Sequence, residues 1–134
     1  MIRSIFHASW LVAVAAVLGC ASASSSAVDL SGNWSGTYAD SKTGVTGPLA
    51  ATFSEQNGSL AGTLTISSGW LCSASSQGNV SGTVNGDQVQ ASATFGLVAA
   101  LSFTGDASVS TLSGTYQITS GVCAGGGGSF SLSR

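Results

Sequence analysis

From residue 28 onward, apolar and polar residues alternate with a period of two, and no helical period interrupts them. Leu30, Gly32, Trp34, Gly36 and Tyr38 share one face of a first strand, while Ser31, Asn33, Ser35 and Thr37 face the other way. The same rhythm runs through Leu49, Ala51 and Phe53, then Leu60, Gly62, Leu64 and Ile66, then Val80, Gly82 and Val84. Val89 to Phe95, Ala99 to Phe103, Leu112 to Ile118, and Phe130 with Leu132 complete the set. Eight strands follow, each with one apolar and one polar face, as in an antiparallel sheet wetted on one side.

The turn residues fit this division. Asn57-Gly58 and Asn85-Gly86 are the pairs that a type I′ hairpin turn needs at its two positive-φ positions. Gly105-Asp106 suggests a further tight connection, and residues 44–48 break the first strand from the second. The single proline, Pro48, falls at a strand start, where a missing N–H is harmless. A weak repeat of apolar, small, Gly, polar, apolar recurs at Leu30, Leu60, Val80 and Leu112. It is unevenly spaced and so predicts no solenoid. Glycine on the apolar face allows the bends and close packing that a tight barrel requires. The expected fold is all-β, an eight-stranded antiparallel up-and-down β-barrel, with a β-sandwich as the alternative.

The first residues differ in kind. Arg3 precedes the apolar run of residues 10–18, and Gly19-Cys20 follows. That predicts a secretory signal helix over residues 1–19, too short for a permanent span. The segment inflates the mean hydropathy of +0.40. Residues 20–28 read as a polar tether and residues 29–134 as a single domain. Charged residues make up 6% of the chain. Lys42 and Arg134 are the only cations beyond the signal, which leaves no basic patch for nucleic acid.

Cys72 and Cys123 are expected to form a disulfide, as cysteines of exported domains do. Closing about fifty residues is worth about 4 kcal/mol in the chain-entropy model. In an up-and-down meander both cysteines fall in links at the same end, after the third and seventh strands. The bond then requires loops that cross the mouth, with Trp70, Leu71 and Val122 as the expected apolar plug.

Val17-Leu18-Gly19-Cys20 resembles a bacterial lipobox. The resemblance implies acylation of Cys20, a membrane anchor and, with Ala21 following, the outer membrane of the cell envelope. The competing route is ordinary signal cleavage after residue 23 or 27, giving a periplasmic or secreted protein. Leu30-Ser31-Gly32-Asn33-Trp34 resembles the Gly-x-Trp opening of the calycins, the lipocalins and avidins among them. That resemblance implies a structural signature of Gly32, Trp34 and Arg134, with the arginine after the last strand packed across the indole.

The chemistry of catalysis is thin. His7, the only histidine, lies in the signal, which leaves no histidine for a triad or for most zinc sites. The acids fall at expected strand ends; Glu55 continues an apolar face and could reach the barrel mouth or water. Residues 125–128 are no phosphate loop, because no Lys-Ser/Thr follows. No catalytic residue, metal site or cofactor is assigned. Trp34, Tyr38, Tyr116 and Trp70 are the candidate ligand-facing aromatics, with plain core as their other reading. The expected function is a non-enzymatic, monomeric envelope lipoprotein with a lipocalin-like barrel for a small apolar or neutral ligand. The alternatives are a structural or protein-binding surface domain with a filled core, and a periplasmic protease inhibitor.

Overall fold

The computed structural model describes residues 28–66, 76–96 and 99–134. The expected signal helix, Cys20, Trp70, Leu71 and Cys72 lie outside the described residues. Eight antiparallel strands follow in chain order: β1 Gly32–Asp40, β2 Thr46–Gln56, β3 Ser59–Ile66, β4 Gln77–Asn85, β5 Gln88–Phe95, β6 Ala99–Ala107, β7 Thr111–Ser120 and β8 Gly127–Ser133. Each pairs with its neighbours in sequence, and β8 returns to β1, so the sheet is a closed up-and-down barrel. The closing seam runs from Ser35↔Ser133 to Asp40↔Gly128. Closure removes every free sheet edge, and a sandwich is excluded.

The apolar face of each strand points inward. Trp34, Phe53, Leu64, Val80, Phe95, Leu101, Phe103, Leu112 and Phe130 belong to one continuous buried core. Phe103 and Phe130 meet edge to face, with centroids 5.6 Å apart. The outer wall carries Ser, Thr, Asn and Gln at the alternate positions.

One expected turn is present as read, and three connections differ from the sequence expectation. Asn57-Gly58 has φ of 52° and 80°, both left-handed, as a type I′ turn requires. The next hairpin turns at Gly86-Asp87 instead of Asn85-Gly86, because Asn85 pairs with Gln88 and Val84 with Val89. A turn at Asn85-Gly86 would have set Asp87 opposite Val84 on the core face, so burial of the valine pair fixes the register. Gly105-Asp106 is not a turn. It lies within β6, where Gly105 faces Gly114 across the ladder, and the chain reverses at residues 108–110, closed by Ser108 N–H donating to Thr111 O at 2.7 Å. The first link is residues 41–45, so Pro48 is inside β2, one residue before its ladder to β3 begins at Leu49.

Candidate functional site

The meander gives the barrel two unlike ends. At the lower end lie the residue 57–58, 86–87 and 108–110 turns, the entering segment 28–31 and Arg134. The links 41–45 and 121–126, and the connections from β3 to β4 and from β5 to β6, leave from the upper end.

The lower end is sealed. Leu30, with 0% exposure, plugs it from outside β1. Its carbonyl accepts a 2.8 Å hydrogen bond from Trp34 Nε1, which satisfies the one polar atom of a buried indole. The guanidinium of Arg134 lies 4.5 Å from the Trp34 ring centroid. Its Nε donates to Val109 O at 2.7 Å, its Nη1 to Ser31 O at 2.6 Å and its Nη2 to Asp29 O at 2.8 Å. One planar fork thus ties the entering segment, the β6–β7 turn and the end of β8 together across an aromatic face. Gly32, at φ 125°, lets the chain turn into β1 beside that fork; a Cβ there would stand 3.6 Å from Arg134 Nη1.

Glu55 belongs to this end as well. Its Oε1 accepts from Gly58 N–H at 2.7 Å, and its backbone N–H donates to Ser31 Oγ at 3.0 Å, so the carboxylate braces a turn and points into no cavity. Asp29 accepts from Ser31 N–H at 2.9 Å; that backbone bond first, then the Ser31 hydroxyl, holds its carboxyl below the ordinary value.

Toward the upper end, a cavity of about 30 Å³ remains inside the barrel, with a wholly apolar lining that includes Tyr38, Phe53, Leu101, Phe103, Tyr116 and Phe130. A space so lined offers a water molecule no hydrogen-bond partner. Tyr38 and Tyr116 are both buried, at 5% and 8% exposure. Trp34 is separate from them, at the sealed end, and does not line this cavity. Burial, then the Asp40 carboxylate and Tyr38, push the Tyr116 hydroxyl up to about 12; burial and Asp40 raise Tyr38 too. Asp40 itself is held below its usual value, first by the Thr43 hydroxyl and then by Lys42 N–H.

A folded pKa above the unfolded value near 10 means that the unfolded chain loses its proton first. Stability is therefore full below about pH 10 and falls between about pH 10 and 12. An alkaline denaturation series should show that decline, and Tyr116→Phe should flatten it; an unchanged alkaline limb in the variant would assign the decline to other groups.

The residue 121–126 link folds back on β7, with Ile118 N–H donating to Gly126 O at 2.8 Å and Gly125 N–H to Ile118 O at 2.9 Å. This turns Cys123 toward the core, where it is partly buried. Val122, its neighbour, is consequently driven outward to 86% exposure. The expectation that Val122 plugs the mouth is therefore corrected. Beside this link a shallow groove of about 570 Å³ runs over β8, with Asp40, Ser41, Thr115 and Gln117 around residues 125–128. It exists because four successive glycines leave no side chains there.

The sequence signal missed Leu30 as a plug and the three carbonyls that Arg134 gathers. The first was legible as an apolar residue two positions before a Gly-x-Trp strand; backbone acceptors have no side-chain signature. Among the described residues, no group of three or more His, Cys, Asp and Glu is placed to hold a metal ion. Comparison with family models, with curated proteins and with solved structures finds no match to any of the three.

Proposed function

We propose that this chain is a non-enzymatic lipoprotein of the bacterial cell envelope, with a calycin-like barrel that serves as a filled scaffold and meets its partner on the outside. The observation that carries this reading is the filling of the interior. Ligand sites for small metabolites are typically about 300–1,000 Å³, whereas the pocket inside the barrel, among the described residues, is about 30 Å³. Contacts with a partner then fall to the outer wall, the upper links and the groove over β8. The Trp34–Arg134 packing supports the calycin likeness, because it joins the first strand to the end of the last across a closed barrel mouth.

Cys20 carries the lipid in this reading, in the outer membrane, and Cys72 pairs with Cys123 to staple the upper end. Cys20→Ala should leave unprocessed precursor in the producing cell, detected by mass; normal maturation of that variant would remove the anchor. The function itself is tested by native mass spectrometry of the protein purified from its own membranes. The expected species carries acyl groups and no second guest. A stoichiometric small molecule retained in the folded barrel would replace the scaffold reading with a carrier.

A second reading is favoured by the cavity's lining. A dry apolar space can accept a very small apolar guest. Xenon pressurisation should then shift the resonances of Phe103 and Phe130 and leave those of Leu30 unmoved; no shift at either end would exclude it.

A further inference from the structure

We propose that the barrel stands on its lower end at the membrane, so that the upper links and the groove over β8 face away from the bilayer; this rests on the anchor at Cys20. The entering chain is held to the body as far as Val28. Val28 N–H donates to Gly86 O at 3.0 Å, in the lower β4–β5 turn. Arg134 then grips the carbonyls of Asp29 and Ser31 at 2.8 and 2.6 Å. The path to the lipid therefore begins at the lower end, and seven residues, or eight Cα–Cα steps, separate Val28 from Cys20. Eight such steps reach at most about 28 Å when fully extended.

The height of the barrel decides what that reach permits. Strand β1 has nine residues. At about 3.3 Å per residue and a tilt near 40°, such a strand rises about 22 Å along the barrel axis. Bringing the upper end to the bilayer would require the tether to double back along almost its whole reach. A chain so stretched has lost nearly all of its conformations. Upright placement costs none of this.

Charge does not oppose the arrangement by laying the barrel on its side. Asp29, Glu55, Asp87 and Asp106 lie at the lower end, where Arg134 is the only cation and is already committed to carbonyls. The wall between the ends carries Ser, Thr, Asn and Gln and offers anionic headgroups nothing to attract. Lys42 sits at the upper end, and Asp40, two residues away, offsets it. The acids hold the lower end slightly off an anionic surface, and the short tether keeps it near.

Lys42 is the only lysine of the chain, which provides the test. The full acylated protein, labelled with an amine-reactive donor dye, is placed in phosphatidylcholine–phosphatidylglycerol vesicles carrying a headgroup acceptor. The pair Lys42→Gln with Val109→Lys moves the dye to the lower turn, where Val109 is 76% exposed. Energy transfer with a short critical distance should be several-fold more efficient from residue 109 than from Lys42. Equal transfer from both positions, or the reverse order, would overturn the orientation while leaving the anchor intact. Protein that fails to associate with vesicles, or that labels at a free N-terminus, would instead overturn the anchor and the orientation with it.

Discussion

Gly36→Ala is expected to lower stability by about 3–5 kcal/mol, about the upper range for a single substitution. Gly36 faces inward on β1 at the closing seam, opposite Leu132 of β8 and Leu49 of β2. A Cβ built there would stand 1.8 Å from Ser131 O and 2.9 Å from Leu132 Cα. Both are backbone atoms of the strand that closes the ring, so no side-chain rotation relieves the clash. The seam must open or shift, and the ladder from Ser35 to Asp40 is one of the two that hold β8, the one that closes the ring. Against a total of about 5–15 kcal/mol for a domain, such a loss leaves a partly open barrel. Denaturant unfolding monitored by circular dichroism should show an earlier midpoint, and a hydrophobic dye should bind before unfolding. Gly86→Asn supplies the comparison: no atom lies within 4 Å of a Cβ at Gly86, and asparagine tolerates its φ of 63°. Its midpoint should stay close to wild type; a Gly36→Ala midpoint equally close would refute the seam argument.

The clash also explains which parts of the structure were legible in the chain. Strand identity follows from alternation, because burial on one side of a sheet imposes a period of two on the sequence. Leu30 through Phe130 therefore declare their faces without any knowledge of topology. Register is a pairwise property, and a single strand does not contain it. The Asn85-Gly86 pair looks like a turn by local chemistry, yet the packing of Val84 against Val89 moves the reversal by one residue. Gly105 looks like a break for the same local reason. In the barrel it is a place where β6 and β7 approach so closely that a Cβ would stand 2.6 Å from Ser113 O. Glycines on an inward face thus carry two meanings, a reversal or a close approach, and only the closed ring separates them. The lower-end residues divide in the same way. Trp34 and Arg134 are recognisable side chains, whereas the carbonyls of Asp29, Ser31 and Val109 become acceptors only once the fold gathers them.

Trp34→Ala should be nearly as damaging, at about 3–5 kcal/mol, for reasons that combine three contacts. The indole is 2% exposed, so truncation opens a large void at the sealed end of the core. The Leu30 carbonyl loses the 2.8 Å donor that Trp34 Nε1 supplies, and a buried acceptor left without a partner costs about 1–3 kcal/mol on its own. Arg134 loses the aromatic face beneath its guanidinium while still bound to three carbonyls. For a domain of about one hundred residues, a change of this size lowers Tm by on the order of 15–30 °C. Trp34→Phe separates the contributions, because it keeps an aromatic face for Arg134 and much of the volume but removes the N–H donor. Its loss should be about half that of Trp34→Ala. Arg134→Ala in the Trp34→Phe background should then cost less than in wild type, since phenylalanine offers the guanidinium a weaker face. Strict additivity of the two would show that the arginine acts through its carbonyls alone, and the stacked pair would lose its place in the account of how this barrel end is held shut.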